Sequence, residues 1–199
     1  MIVNIRGTSG SGKTTVVRQF LKFATTKTRV KERNSAKIIG YMIEIGLDRP
    51  VFVMGPYEEK SSGGCDNFRD LAKVFSEVHY WHEHGFHVIF EGLLISRSKG
   101  RVIELWNALG RKNLLILHLM TPLEDCLEGI RQRRMQRSNF KPVDRARTEE
   151  TFHRAYQISR ALIELGIPGA LINRNTAAEQ IKDILQNERY IPAACTPVL

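Results

Sequence analysis

The feature that most constrains this chain is the segment 7–14, GTSGSGKT, which matches the pattern G-x-x-x-x-G-K-[ST] at every fixed position. It follows the β-branched run 2–6, which predicts a buried strand, and it precedes residues 15–21, which predict a helix. Glycines let successive backbone N–H groups converge on a phosphate, and a helix N-terminus adds the positive end of its dipole. The sequence therefore predicts a nucleotide-binding P-loop within a strand–loop–helix unit.

Each part of this loop has an expected role toward ATP. We expect the backbone to surround the triphosphate, Lys13 to reach the β- and γ-phosphates, and the Thr14 hydroxyl to ligate Mg²⁺. ATP and Mg²⁺ are therefore the expected cofactors. The predicted ATP-binding residues are Gly7, Thr8, Ser9, Gly10, Ser11, Gly12, Lys13, Thr14 and Thr15.

The charge balance of the 199-residue chain indicates an anionic partner. Thirty Lys and Arg residues against 21 Asp and Glu residues give a net charge of +9, which favours nucleic acid, nucleotides or an anionic membrane. A basic balance that only serves solubility or phosphate handling is the alternative. No apolar run is long enough to span a membrane, and three widely spaced cysteines are typical of a reduced setting. We therefore expect a cytoplasmic protein with ATP and no membrane as partners, and DNA as a candidate partner that the charge alone does not identify.

The order of apolar runs predicts an α/β fold of the P-loop NTPase class, with a parallel sheet of about five strands flanked by helices. Segments 37–45 and 51–54 surround a Gly/Pro turn and predict an added hairpin, whose first arm would lie near the sheet edge. Segment 25–36 is basic and has no apolar period, so we expect a loop or mobile arm there. Residues 1–188 are predicted to form a single P-loop domain, and 189–199 a loosely docked tail.

An acidic residue ends the apolar segment 87–90. Glu91 would stand at the carboxyl edge of the predicted sheet beside the P-loop, as the acid of a Walker B strand does. There it would hold a Mg²⁺-bound water or orient the acceptor. A Glu with a purely structural role is the alternative. Residues 93–98 are expected to continue as a loop.

A second carboxylate, Asp66, follows the turn-rich segment 55–64. Ligand groups in open α/β sheets lie on loops beyond the carboxyl ends of strands, and this segment follows such an end. A flexible connector is the alternative. From position 65 to about 84, apolar residues recur at helical spacing, so we predict a helix there with Asp66 as its N-cap.

The helix predicted after Pro122 changes character along one face. Leu123, Leu127 and Ile130 form an apolar stripe, and the same phase continues onto arginines. Because a guanidinium binds phosphate oxygens through two N–H groups, we expect this end of the helix to cover a phosphate, within a lid at about 131–147. Alternatively, the cations complement the C-terminal end of the helix dipole. The phase continues onto Arg134 and Arg137, and Arg131 and Arg133 flank that face.

A small P-loop domain with an Arg-rich helix after its fourth core strand resembles the nucleoside and nucleotide kinases, in which the corresponding helix pair acts as a lid. The guanine-reading motif N-K-x-D is absent. The segments GPYE at 55–58, GGCD at 63–66 and FEGLLIS at 90–96 resemble a family of bacteriophage P-loop kinases. Some members phosphorylate the hydroxymethyl group of 5-hydroxymethyluracil in DNA, a step towards hypermodified thymidines. The resemblance implies a phage enzyme that works in the host cytoplasm.

The spacing Asp66-x-x-Arg69 is similar to the D-x-x-R motif of phage-type polynucleotide 5′-kinases, where the Asp is the general base and the Arg contacts substrate phosphate. We expect Asp66 by preference, and Glu91 second, to receive or orient the acceptor proton. Thr14 and Glu91 are the predicted metal residues. Catalytic roles are predicted for Lys13, Asp66, Glu91, Arg131, Arg134 and Arg137. Substrate contacts are predicted for Tyr57, Glu58, Arg69 and Arg133.

Three functions stay open from the sequence. A kinase that acts on DNA, at a modified base or at a 5′-hydroxyl, makes the best use of the positive charge. A kinase of free nucleosides, nucleotides or another small metabolite is the second. The third is a P-loop module that binds or hydrolyses ATP without transferring phosphate to an acceptor.

Overall fold

The computed structural model describes residues 1–32, 35–58, 63–68 and 70–187. Within them the strands form one sheet in the order β2-β3-β4-β5-β1-β6-β7. The strands are β1 (Ile2–Arg6), β2 (Thr26–Lys31), β3 (Ile38–Glu44), β4 (Val51–Met54), β5 (His87–Glu91), β6 (Leu114–Leu119) and β7 (Gly169–Ile172). The helices are α1 (Lys13–Phe20), α2 (Leu71–Glu83), α3 (Leu93–Ser96), α4 (Gly100–Ala108), α5 (Leu123–Met135), α6 (Arg145–Glu164) and α7 (Ala177–Gln186).

Five of these strands, β4-β5-β1-β6-β7, pair in parallel, as predicted. β3 pairs antiparallel with both β2 and β4, so the added hairpin lies at one edge of the parallel sheet. Apolar clusters cover both faces, as expected for parallel strands without a solvated side. With the P-loop after the central strand β1, this arrangement is the P-loop NTPase fold. Among the described residues, no helix is long and apolar enough to cross a membrane.

The central position of β1 brings the functional ends of three strands together. Ile5 is aligned with Glu91 of β5, and Arg6 is aligned with His118 of β6. Because parallel strands all end at the same edge of a sheet, the P-loop, Glu91 and the residues after β6 meet there. This edge is where the sequence places the phosphate site.

Segment 25–36 was expected to be a loop, and that expectation is wrong. Thr26–Lys31 forms β2, the edge strand, and pairs with β3 through six aligned residue pairs. The strand is almost wholly exposed, so it lacks the alternation of apolar and polar residues that reveals a half-buried strand. Lys27 packs its ammonium 5.6 Å from the ring centre of Tyr41, and such cross-strand contacts hold β2 in place. The edge position belongs to β2, with β3 one strand inside it.

Two further expectations need correction near the phosphate edge. The helix predicted from position 65 begins at Leu71, and its N-cap is Asp70, whose carboxylate accepts a 2.7 Å hydrogen bond from the Ala72 N–H. Residues 65–67 form a separate short 3₁₀ turn. The stretch expected to be a loop after Glu91 contains the one-turn helix α3. The predicted tail at 189–199 lies outside the described residues.

A fully buried arginine joins the sheet to two helices below the P-loop. The Arg6 guanidinium donates to Asn4 Oδ1 at 2.9 Å, to the Ser96 carbonyl of α3 at 2.7 Å and to Ser159 Oγ of α6 at 3.1 Å. All three acceptors are neutral. Burial lowers the pKa of Arg6 to about 9, which still leaves the side chain charged near neutral pH. The charge is therefore stabilised by neutral dipoles, which fix α3 and α6 relative to β1.

His118 belongs to the same cluster and is kept neutral by it. Its Nδ1 lies 2.9 Å from Ser159 Oγ, and the Ser159 hydroxyl donates to the Ala155 carbonyl. The imidazole therefore carries its proton on Nδ1 and donates to Ser159. Burial, together with the charges of Arg6 and Lys13, lowers the pKa of His118 to about 4.

We expect this histidine to make the fold sensitive to mild acid. The unfolded chain takes up a proton at His118 below about pH 6.5, whereas the folded chain does so only near pH 4. The unfolded state then binds more protons, so the free energy of unfolding falls as the pH drops through this window, by about 3 kcal/mol. Urea unfolding of the wild type and of His118→Gln between pH 7 and pH 4 measures the difference.

The matched control is His153→Gln, because His153 lies on α6 with an exposed ring. We expect this variant to keep the wild-type pH slope, while His118→Gln flattens it. Equal slopes in wild type and His118→Gln would contradict the assignment.

Candidate active site

A cleft of about 520 Å³ opens at the carboxyl edge of the sheet, between the P-loop, the 63–68 segment and α5. The P-loop contributes its glycines and the start of α1, and α5 contributes the end that carries arginines. The lining residues are Ser9, Gly10, Gly12, Lys13, Thr14, Thr15, Arg18, Asp66, Glu91, Leu93, Gly129, Gln132, Arg133, Gln136 and Arg137. The cleft thus combines cations, two carboxylates and a helix N-terminus, which is a composition suited to a bound phosphate.

Lys13 is buried at the floor of this cleft. Its ammonium donates to the carbonyls of Gly7 and Thr8 at 2.9 and 2.8 Å. An ammonium has three N–H donors, so one is left to bind an anion in the cleft. Burial lowers the pKa of Lys13, while the charges of Glu91 and Asp66 raise it. The two carboxylates therefore favour the charged form in a site that otherwise disfavours it.

Thr14 and Glu91 form a direct contact between α1 and β5. The Thr14 hydroxyl donates to Glu91 Oε1 at 2.9 Å, and the Glu91 side chain is buried. Burial raises the pKa of Glu91, whereas the charge of Lys13 and the hydrogen bond from Thr14 lower it. Because the Thr14 proton points at Glu91, the lone pairs of its hydroxyl oxygen are left for a cation. Hydroxyl and carboxylate oxygens are the donors that Mg²⁺ prefers, so this pair fits a magnesium ion.

The 63–68 segment lies directly over this pair and needs glycine to do so. Gly64 has φ +64°, and a Cβ on it would lie 2.4 Å from Glu91 Oε1. A Cβ on Gly63, at φ +70°, would lie 2.3 Å from Thr14 Cγ2. Because glycine has no side chain, the backbone at Gly63 and Gly64 can approach the predicted metal residues more closely than any other residue type allows.

Asp66 follows on the same segment and caps α3, instead of the helix predicted for it. Its Oδ2 accepts from the Leu93 N–H at 2.8 Å, and its Oδ1 accepts from the Leu94 N–H at 3.0 Å. The carboxylate is nevertheless exposed and lines the cleft. Each oxygen keeps a free lone pair after these bonds, so Asp66 can still accept a proton from a ligand. Asp66 therefore lies in the cleft, and the prediction that it caps the helix after it is wrong.

The four arginines predicted to act together are placed in different surroundings. Arg133 of α5 and Arg137, in the turn that follows α5, both line the cleft. Partial burial and the charges of Arg137 and Arg134 lower the pKa of Arg133, while Asp66 and Glu91 raise it. Arg131 lies outside the lining and pairs with Glu128 at 3.3 Å. Arg134 also lies outside the lining, and its guanidinium donates to the carbonyls of the next loop.

The predicted substrate residues on the loop after β4 turn mostly inward. Tyr57 is buried, and its hydroxyl donates to the Met54 carbonyl at 3.1 Å. Glu58 forms an ion pair with Arg29 of β2 at 3.1 Å, which links this loop to the edge strand. Neither belongs to the lining of the cleft. Arg69 lies outside the described residues.

A second cavity of about 370 Å³ adjoins the first on the other side of Gly10 and Gly12. Arg174 and Asn175, from the loop after β7, line it, and Arg174 donates to Asp125 of α5 at 2.9 Å. Sequence reasoning missed these two residues. The available signal was their position after the last parallel strand, whose carboxyl end lies at the same edge as the P-loop.

The sequence is similar to those of two phage proteins, while no family model matches it. It is 32% identical over 186 residues to a 5-hmdU DNA kinase of Pseudomonas phage PaMx11, covering 93% of this chain and 97% of that protein. It is 29% identical over 143 residues to a 5-hmdU DNA kinase of Bacillus phage SP10, covering 67% of this chain but 21% of that longer protein.

Among solved structures, the chain is similar to deoxyadenosine kinase from M. mycoides with bound dATP. The TM-score is 0.40 and the sequence identity 14%, over 93% of this chain and 99% of that one.

We expect Gly64→Ala to impair ATP binding through contact with Glu91. The matched control is Gly110→Ala, because Gly110 has φ +62° and a Cβ there meets no described atom within 4 Å. Both variants place a Cβ at positive φ, which costs about 1–3 kcal/mol, with Gly64 (ψ −169°) at the higher end, and only Gly64→Ala must also displace a carboxylate. Calorimetric titration with ATP, with and without Mg²⁺, should show at least about a tenfold loss for Gly64→Ala in Mg²⁺, as for a lost charge-assisted contact. Equal affinities for the two variants would contradict this.

Proposed function

Since this chain belongs to the family of phage 5-hmdU DNA kinases, we propose that it transfers the γ-phosphate of ATP to the hydroxymethyl group of 5-hydroxymethyluracil in DNA. The family is the one that the GPYE, GGCD and FEGLLIS segments predicted. The observation that carries the proposal within the structure is the Thr14–Glu91 contact beside buried Lys13, facing Asp66 across one cleft. A phosphate site with a second, exposed carboxylate serves transfer to an acceptor better than binding alone.

ATP and Mg²⁺ are the proposed cofactors. The triphosphate would lie against the P-loop backbone, with Lys13 toward its β- and γ-phosphates. Mg²⁺ held at Thr14 and Glu91 would neutralise charge on the phosphate oxygens. The nucleoside half would occupy the adjoining cavity beside Arg174 and Asn175, since this cavity shares Gly10 and Gly12 with the phosphate cleft.

In the proposed transfer, the acceptor oxygen forms a bond to the γ-phosphorus as the bond to the leaving ADP oxygen breaks. The acceptor proton passes to Asp66, which is exposed in the cleft and has free lone pairs. Glu91 is the second choice, because its Oε1 already accepts from Thr14 and the side chain is buried. Arg133 and Arg137, which line the cleft, would stabilise negative charge on the transferred group.

DNA is the proposed acceptor because the chain carries two basic surfaces, one at the cleft and one on the edge strand β2. The lid segment 131–147 carries seven Arg or Lys residues and one Asp. On the edge strand, Lys27 and Arg29 pair with Ile43 and Tyr41 of β3, and Arg29 reaches Glu58 in the loop after β4. Such surfaces suit the phosphates on either side of a target base. The enzyme would act in the host cytoplasm, where the phage DNA is.

The test is transfer of labelled γ-phosphate from ATP to a panel of acceptors, with Lys13→Ala as the inactive control. The panel holds DNA with 5-hydroxymethyluracil, plain DNA with 5′-hydroxyl ends, and free nucleosides and nucleotides. We expect label on the modified DNA alone. Label only on free nucleosides or nucleotides would overturn the proposal, and label on plain 5′-hydroxyl ends would indicate a polynucleotide kinase.

Asp66→Asn is expected to lower transfer by about 100-fold or more, as for loss of a general base, while ATP binding is retained. Asp70→Asn is the matched control, since Asp70 is also an exposed helix-capping carboxylate, but at the start of α2. Because Asn caps a helix about as well as Asp does, Asp70→Asn should change the stability by well under about 1 kcal/mol and leave transfer unchanged. Single-turnover rates and ATP titrations of both variants measure the contrast. Equal rates would mean that Asp66 only caps α3.

A further inference from the structure

The most exposed large apolar side chain of the described residues is at the tip of the lid. Phe140 is 81% exposed, whereas the other exposed large apolar side chains lie between 44% and 64%. It stands in the loop 136–144 between α5 and α6, three residues after Arg137 of the cleft. Covering this ring with a partner would remove its apolar surface from water, which is favourable.

The loop presents this ring on a fixed backbone. The Arg134 guanidinium donates to the carbonyls of Lys141 and Pro142 at 2.8 and 2.6 Å. On the other side of Phe140, the Asn139 N–H donates to the Arg134 carbonyl at 2.9 Å, and Asn139 Oδ1 accepts from the Lys141 N–H. The backbone is therefore held on both sides of the ring. Arg134, which lies outside the lining of the cleft, therefore stabilises the loop that carries Phe140.

The surroundings of the ring match a polyanion. Arg137, Lys141, Arg145 and Arg147 lie within seven residues of it along the chain. A projecting apolar ring within a basic surface is the combination by which proteins enter the base stack of DNA, where cations bind the backbone and the ring separates adjacent bases.

The proposed reaction also creates a need for such a ring. A base in a duplex is stacked and paired, so its hydroxymethyl group reaches a cleft of this kind only when the nucleotide is extruded. Extrusion leaves a gap in the stack, and an aromatic side chain can fill that gap. We propose that Phe140 enters the duplex at the position vacated by the target base, an inference that rests on the proposed DNA kinase function.

The experiment compares Phe140→Ala with the wild type on two substrates of the same sequence. One is duplex DNA with a single 5-hydroxymethyluracil, and the other is the modified strand alone. We expect Phe140→Ala to lose about 10- to 100-fold in kcat/KM on the duplex, as for one lost stacking contact. On the single strand, which has no pair to open, the loss should stay below about threefold. Phe140→Trp should retain activity on the duplex.

The matched control is Tyr80→Ala, because Tyr80 is an aromatic residue 51% exposed. It lies near the end of α2, which leads into the start of β5 and so to the edge of the sheet opposite the cleft. We expect it to leave both substrates unaffected. A duplex in which the modified base faces an abasic site should restore much of the activity of Phe140→Ala, since extrusion costs less there.

A second measurement reports directly on base stacking next to the target nucleotide. With 2-aminopurine beside the target base and a non-hydrolysable ATP analogue, the wild type should raise the fluorescence on binding, and Phe140→Ala should not. An equal loss on duplex and single strand would mean that Phe140 orders the lid, and would overturn the inference while the kinase function stands. A wild type that is active on the single strand but not on the duplex would also overturn the inference and leave the kinase function standing. A wild type that labels neither DNA would instead overturn the proposed function.

Discussion

The hydrogen bond from Thr14 to Glu91 is the contact on which the rest of the site depends. It exists because β1 and β5 are adjacent and in register, so that the helix after β1 begins opposite the last residue of β5. Gly64 covers the pair from above, and the same segment then carries Asp66 into the cleft. One side chain contact thus aligns the predicted metal residues, the covering loop and the proposed base.

The buried cluster around Arg6 fixes the position of α3 and α6 relative to β1, on the side of the P-loop away from the cleft. A charge without a carboxylate partner is costly in the interior, and the cluster offsets the cost with neutral acceptors from three elements. Because α3 is also capped by Asp66, its position is set from both ends. The rigidity of the proposed base therefore depends on residues outside the cleft as well as on those that line it.

The elements with strong local signals were predictable from the sequence, and those that depend on distant partners were not. The P-loop and Glu91 follow from short patterns, and the parallel strands from continuous apolar runs. β2 was not predicted as a strand, because its residues are almost all polar and exposed and only its pairing with β3 defines it. Asp66 was predicted to cap α2, but Asp70 takes that role, and Asp66 caps α3 because of the tertiary position of that helix. Helical phase favoured Arg134 over Arg133, but the loop after α5 binds Arg134, and Arg133 lines the cleft instead.

The edge strand β2 has a consequence for the behaviour of the protein in crowded solution. The outermost strand of a sheet offers unpaired N–H and C=O groups to any other extended chain, and proteins commonly block such edges with charged side chains. β2 carries Lys27, Arg29 and Lys31 at alternate positions along its length. Two copies of this edge would repel each other, so the same cations that suit a DNA backbone also protect the sheet against edge-to-edge aggregation.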